Sequence, residues 1–336
     1  SAASDVYKRQ SLSYKLKIMI KRRGFLKSAT IASIGLLSSS QNLYSFKGLT
    51  SRKIKISLIP GTVGINVDAH ELLDLAVRNN FDSIYPILND LNKMNDQELT
   101  EYQNIMTDNN ISFDIAILPV DFSGSQNVYK NGLSILKQQC KIMSKINSKG
   151  FCRWIMPTSN DFTYLNNFKI HRERLKECAK IIGENGMKLG LEFVGPKTLM
   201  SRDQFSFIRT INELRELIDS INEKNVGYQL DTFHLYCANH DIDDIRFLKK
   251  EDITMCQIND AVEGRSSDEQ IDFERELPGK TGLIDTSPFL NFLNKIGYDG
   301  TVSAEPFNKE LNNLNNEEAA KATYQALRES FDKAGV

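Results

Sequence analysis

The sequence predicts a (β/α)8 TIM barrel, and three observations carry that reading. From Lys53 to the C-terminus, short apolar runs alternate with amphipathic helical patterns, eight of each. They occupy about 280 residues, close to the ~250 typical of such barrels. The runs are near-continuously apolar, as strands covered on both faces are. Polar residues gather at the C-terminal ends of the later runs, where a barrel of this kind places its chemistry.

In order, the strand candidates are "KIKISLI" (53–59), "DSIYPI" (82–87), "ISFDIAIL" (111–118) and "FCRWIMP" (151–157). They continue with "KLGLEFV" (188–194), "VGYQLD" (226–231), "ITMCQIN" (253–259) and "TVSAEPF" (301–307). Polar residues, Gly or Pro bound each run, as expected of short buried strands. Helical patterns fill the intervals at 68–79, 95–109, 130–148, 168–185, 210–223, 241–250, 286–296 and 316–333. Within 168–185, Leu175, Cys178, Ala179 and Ile182 recur at helical spacing with Arg and Glu opposite them. Gly186 and Gly297 follow helical patterns as C-terminal caps do. A doubly wound open sheet is the alternative, but the first turn, "LIPGTVG", lacks the GxGxxG dinucleotide fingerprint. No Pro-, Gly- or Ser-rich linker divides residues 51–336, which read as one catalytic domain.

The start of the chain is different. "SAASDVYKRQ" and the residues up to 18 read as carry-over from outside the natural reading frame, with Met19 as the expected start. Residues 19–50 open with "MIKRRGFLKSATIASIGLLSSS", whose basic head and short, mildly apolar run resemble a twin-arginine export signal through Arg22 and Arg23. The resemblance implies export to the periplasm. The run is shorter than the roughly 20 apolar residues a spanning helix needs. No cysteine follows it for lipid attachment. A stable membrane anchor is therefore not expected.

Composition narrows the partners. The 336 residues are 40% hydrophobic and 25% charged, with a formal net charge of −1. That balance offers no electrostatic basis for nucleic acid or an anionic membrane. Cys140, Cys152, Cys178, Cys237 and Cys256 are scattered and odd in number, which argues against a disulfide framework or a structural zinc site. Self-association into a homo-oligomer stays open.

The barrel reading says where to look for chemistry. Strand five ends in Glu192, and strand six in Asp231 with His234 just beyond. Strand seven ends in Gln257, followed by Asn259 and Asp260, and strand eight carries Glu305. Three acids converging at one mouth cannot all stay ionised without a compensating cation. One divalent metal held by the oxygens of Glu192, Asp231, Gln257 and Glu305 is the simplest compensation. Among loop cations, Lys197, Arg202, Arg265 and Arg275 are candidates for substrate contact. Trp154, near the mouth, is either a sugar-stacking platform or ordinary packing. His70, His171 and His240 fall on or beside helices and read as structural.

Five segments in this order, "GLEFVGPKT", "QLDTFH", "QINDA", "RELPGKTGLID" and "GYDGTVSAEPF", resemble the sugar phosphate isomerase/epimerase family with its xylose isomerase-like barrel. The resemblance spans about residues 54 to 330. It implies metal ligands at Glu192, Asp231, Gln257 and Glu305, a substrate-facing His234, and Arg275 as the arginine before the Pro-Gly turn. Two departures matter. Gln257 stands where the epimerases commonly carry histidine, as in relatives that dehydrate 3-dehydroshikimate. An amide there makes the site all-oxygen and favours Mn²⁺ or Mg²⁺, with Co²⁺ or Zn²⁺ also compatible. The turn "PGKTG" is one residue longer than the family's usual form. It is not a phosphate loop, because Glu274 stands where the Walker pattern requires glycine.

The expected function is thus a metal-dependent isomerase or epimerase of a carbohydrate or polyhydroxy carbonyl compound. Glu192 and Glu305 would move the proton α to the carbonyl through a metal-stabilised enediolate, with His234 beside the substrate. If a leaving group sits β to the carbonyl, the same step makes a lyase or dehydratase. A non-catalytic sugar-binding barrel is the remote alternative. An apurinic-site endonuclease on this scaffold needs a histidine-rich three-zinc site, and the chain has only four histidines.

Overall fold

In a computed structural model, residues 53–336 are described; the segment read as an export signal lies outside them. Eight strands run parallel: β1 (Lys55–Leu58), β2 (Ser83–Ile84), β3 (Ser112–Phe113 and Ala116–Ile117) and β4 (Gly150–Ile155), then β5 (Lys188–Phe193), β6 (Val226–Asp231), β7 (Ile253–Gln257) and β8 (Thr301–Ser303). Around them lie α1 (Ala69–Asn79), α2 (Asp96–Asp108), α3 (Gln126–Lys145), α4 (Tyr164–Gly183), α5 (Ile211–Ile221), α6 (Thr232–Cys237), α7 (Ser287–Lys295) and α8 (Asn316–Ala334). Short turns of helix occupy Leu88–Leu91 and Lys309–Asn312.

The ring closes through β3. Its first half pairs with β2 (Ser83 with Ser112) and its second with β4 (Ala116 with Phe151). The break falls at Asp114, whose carboxylate accepts the N–H of Ile115 (2.8 Å) and the hydroxyl of Thr301 (2.8 Å). An amide bonded to a neighbouring side chain is withdrawn from the strand ladder, so an acid in mid-strand splits it. Burial raises the Asp114 pKa.

Helix ends follow local chemistry. Asn95 and Glu98 form a capping box on α2, and Thr210 and Glu213 form one on α5. Asn80 and Asn222 end α1 and α5 in the left-handed conformation. Leu72, Ala76, Leu175, Leu217 and Phe331 of the helices are buried in one hydrophobic core with Ile56, Leu189 and Val302 of the strands.

One predicted helix is not where the pattern put it. After β6 the chain turns at once into α6, with Asp231 as N-cap accepting the N–H of Phe233 at 2.8 Å. Residues 241–250 instead hold a 3-10 turn at Asp243–Ile245 and the start of another at Lys250–Asp252. Asp241 takes the N–H of Asp243 (2.7 Å), and Asp244 takes that of Asp241 (3.1 Å). Such side-chain bonds compete with the helical ladder. The five cysteines are buried and free. Among the described residues, no helix is long and apolar enough to cross a membrane.

Candidate active site

Strand register assembles the mouth. Trp154 pairs with Glu192 across β4 and β5, and Gln257 pairs with both Asp231 and Ser303 across β6, β7 and β8. Side chains at paired positions of a parallel sheet point the same way, so these residues share one level. Glu305 lies two residues past β8, on the loop above it. Trp154, Glu192, His234, Gln257, Arg275 and Glu305 line a cavity of about 140 Å³.

Arg275 is the centre of this site. Its Nη1 donates to Asp231 Oδ2 (2.8 Å) and Glu305 Oε2 (3.2 Å), and its Nη2 to Asp272 Oδ1 (2.8 Å). Its Nε donates to the Asp272 carbonyl at 2.7 Å. The guanidinium also lies over the rings of Phe233 (4.6 Å) and Phe307 (5.3 Å). Arg275 is 2% exposed, so this candidate for substrate contact lines the cavity as a buried counter-charge to the acids. Part of the compensation that three converging acids require is therefore built into the chain.

Asp231 is the best satisfied of the acids. Besides Arg275 and the α6 N-terminus, it accepts from Asn259 Nδ2 at 3.0 and 3.1 Å. Asn259 Oδ1 then accepts the N–H of Glu305 (2.6 Å), tying β7 to the loop after β8. Burial raises the Asp231 pKa while Arg275 opposes the rise.

Glu192 differs. No hydrogen bond reaches its Oε1, which is buried. Burial pushes its pKa well up, and the charges of Glu305 and Asp231 push it further. Burial likewise raises Glu305 to about 7, against the pull of Arg275. Gln257 Oε1 accepts from Gln229 Nε2 (3.1 Å), and Gln229 Oε1 is also buried without a partner. Two orphaned acceptor oxygens beside a surplus of carboxylates suit a divalent cation, so the residues present fit such an ion. Glu192, Asp231 and His234 offer ligand atoms within 4.8 Å of one another.

His234 is 2% exposed and set by its backbone surroundings. The Gly195 N–H faces its Nδ1 at 3.3 Å and Arg275 Nη2, which also can only donate, faces its Nε2 at 3.5 Å, so both ring nitrogens meet donors. Nε2 lies 3.9 Å from Glu192 Oε2. Burial and Arg275 hold the His234 pKa well below the usual histidine value. Position 195 admits only glycine, because a Cβ there would stand 2.2 Å from the His234 carbonyl oxygen. The ring, kept neutral by burial, lines the cavity beside Glu192, within reach of a substrate.

The other predicted residues separate. Trp154 is at the mouth, 37% exposed, with Arg153 stacked on its ring at 4.0 Å. Lys197 pairs with Asp268 (2.5 Å) on the outer loops and does not line the cavity. Arg202 pairs with Asp203 and Arg265 with Glu274. Asp260, at the end of β7, serves the loop: its carboxylate accepts the N–H groups of Ala261, Thr281, Gly282 and Ile284 at 2.7 to 2.9 Å. That cage accounts for the longer "PGKTG" turn. Asp272 and Gln229 were not picked out from the sequence. Asp272 lies three residues before Arg275, the one local signal that could have marked it.

A family model described as the xylose isomerase-like TIM barrel matches residues 73–330. Inosose isomerase of Bacillus subtilis (strain 168) is 31% identical over 148 residues, 43% of this chain and 49% of its own. Ketose 3-epimerase of Arthrobacter globiformis is 23% identical over 190 residues, 55% of this chain and 58% of its own. The chain thus spans about half the length of the curated relatives it matches. A xylose isomerase domain protein of Alicyclobacillus acidocaldarius superposes with a TM-score of 0.74 at 23% identity, covering 84% of this chain and 100% of that one. The IolI protein, whose structure holds a zinc atom, superposes at 0.69 and 22% identity, covering 84% and 99%. Strand count, mouth geometry and the match over residues 73–330 agree: the chain belongs to the xylose isomerase-like TIM barrel family.

Proposed function

We propose that the protein is an isomerase or epimerase of a sugar or related polyhydroxy carbonyl compound. The observation that carries this reading is the pair Glu192 and Glu305, brought from β5 and the β8 loop to one cavity, with burial first and then the charge of Glu305 raising the Glu192 pKa. Two carboxyls pushed away from their ordinary pKa in one cleft suit opposite roles, one accepting a proton while the other donates. The similarity to inosose isomerase and ketose 3-epimerase supports the same chemistry.

One carboxylate removes the proton from the carbon next to the carbonyl; the C–H electron pair becomes the C=C bond and the carbonyl π pair moves onto oxygen, giving an enediolate. A proton returned to the same carbon from the opposite face gives the epimer, and one returned to the neighbouring carbon gives the isomer. His234 lines the cavity beside Glu192 and is placed to contact the substrate. Arg275 fixes Asp231 and Glu305, so neither carboxylate is free to rotate away. A divalent cation held by Glu192, Asp231, Gln257 and Glu305 would supply Lewis-acid polarisation of the carbonyl. Gln257 favours Mn²⁺ or Mg²⁺ for that place, because the donor set is all oxygen. Gln257 also supports a second reading, in which a group β to the carbonyl leaves and the protein is a lyase.

Incubation of Mn²⁺-loaded protein with a panel of keto-sugars and 3-keto-glycosides in D₂O tests both. Deuterium in recovered sugar supports the isomerase or epimerase, and a released aglycone supports the lyase. Glu192→Gln and Glu305→Gln should each lower turnover by about 10²–10⁴-fold, the usual worth of a positioned acid or base. Wild-type rates in either variant would refute the assignment.

A further inference from the structure

Beside the catalytic cavity lies a second cleft of about 360 Å³, and the two share Trp154 and Met156 as a common wall. The catalytic cavity, at about 140 Å³, falls short of the roughly 300–1,000 Å³ of ordinary small-molecule sites. The cleft supplies the missing room. It is lined by Thr158 and Ser159, one strand of a short antiparallel ribbon, and by Asn167 and His171 in the first turns of α4.

Its polar groups are set out for a ligand. Asn167 lines the cleft at 3% exposure, and its buried Oδ1 has no hydrogen-bond partner. An orphaned buried acceptor calls for an occupant that can donate. His171, also 3% exposed, bonds through Nδ1 to the Asn167 carbonyl at 2.9 Å. A carbonyl only accepts, so that nitrogen carries the proton and Nε2 is an acceptor. Arg153 supplies donors: its guanidinium lies 4.0 Å over the Trp154 ring and is not engaged in an ion pair, unlike Arg202, which holds Asp203. Asp121 uses Oδ1 for Ser123 and Gly124.

The mixture identifies the ligand class. Three carboxylates (Asp121, Asp161 and Asp203) against two guanidiniums make the cleft hostile to a phosphate or carboxylate group. Hydroxyl groups, which both donate and accept, match it, and an indole at the entrance suits the apolar face of a sugar ring. We infer that the cleft is a second sugar subsite: the substrate is a neutral two-ring glycoside or disaccharide. One ring sits in the catalytic cavity, and the other crosses Trp154 to reach Arg153 and Asn167. This inference rests on the carbohydrate chemistry proposed above and names its substrate class.

Trp154 is the only tryptophan in the chain, so its fluorescence reports on the junction directly. The full-length protein is titrated with glucose and methyl glucoside, with cellobiose, maltose, lactose, sucrose and trehalose, and with inorganic phosphate and glucose 6-phosphate. At least one disaccharide should bind about tenfold more tightly than the monosaccharides, the equivalent of one charge-assisted hydrogen bond. In Arg153→Ala that ratio should fall to about one. Arg202→Ala, on the exposed rim where folding is not at risk, should lower it by about threefold. The inference is overturned if no disaccharide is preferred, if the preference survives both variants, or if a phosphate compound binds best through Arg153. Disaccharide preference without proton exchange would leave this subsite standing and remove the isomerase reading. Exchange on monosaccharides without that preference would do the reverse.

Discussion

Arg275 Nη1 lies 2.8 Å from Asp231 Oδ2, and both side chains are 2% exposed or less. This one pair explains why an aspartate can end the buried strand β6. The guanidinium offers opposite charge, Asn259 fills further lone-pair positions, and the α6 amides complete the set. Removing one member of a buried pair strands the other charge, which typically costs about 3–5 kcal/mol. Arg275→Ala should therefore lose roughly that much stability in urea denaturation with chelator present. A change under about 1 kcal/mol would show that the carboxylates are held by other means.

Gln257 sets the metal preference. Gln257→His replaces a hard oxygen donor with imidazole, which suits Zn²⁺ better. The ratio of Zn²⁺ to Mn²⁺ affinity, measured by competition calorimetry, should rise by about tenfold or more. An unchanged ratio would mean that position 257 does not touch the ion.

Asp260 should prove structural despite its place at a strand end. Asp260→Ala strands four N–H groups, among them those of Thr281 and Gly282. The Ala261 and Ile284 bonds are buried, and at about 1–3 kcal/mol for each buried group left unpaired a loss of at least ~2 kcal/mol follows. Protease nicking should then concentrate in residues 278–284. A variant as stable as wild type, with that loop intact, would contradict the cage.

His171 should make the fold acid-sensitive. Burial lowers its pKa to about 4, from 6.5 when exposed. Between those values the unfolded state binds the extra proton, so stability is full above pH 6.5 and falls as pH drops toward 4. The loss reaches about 3 kcal/mol. The difference in urea midpoint between wild type and His171→Phe should shift across that window and stay flat above pH 7. A constant difference from pH 4 to 8 would show that the ring does not titrate between the two states.

The barrel was legible in the sequence because buried parallel strands and amphipathic helices leave periodic marks in neighbouring residues. β6 runs over Val226–Asp231 as its apolar run indicated, and Glu192, Asp231 and Gln257 stand at strand ends as expected. Composition alone also argued correctly for free cysteines. The helix assigned to 241–250 failed because aspartate side chains took over the backbone amides, a competition that apolar spacing does not register.

Only the tertiary structure decided what the loop residues do. Lys197 and Arg275 are both loop cations, yet one pairs with Asp268 near solvent and the other is enclosed by Asp231, Asp272 and Glu305. Their difference depends on residues up to 71 positions away. The cleft beyond Trp154 likewise joins β4, α4 and the loop after β5. Local periodicity fixes which residues face inward along one element; charge compensation and cavity shape depend on chain segments that meet only when the barrel closes.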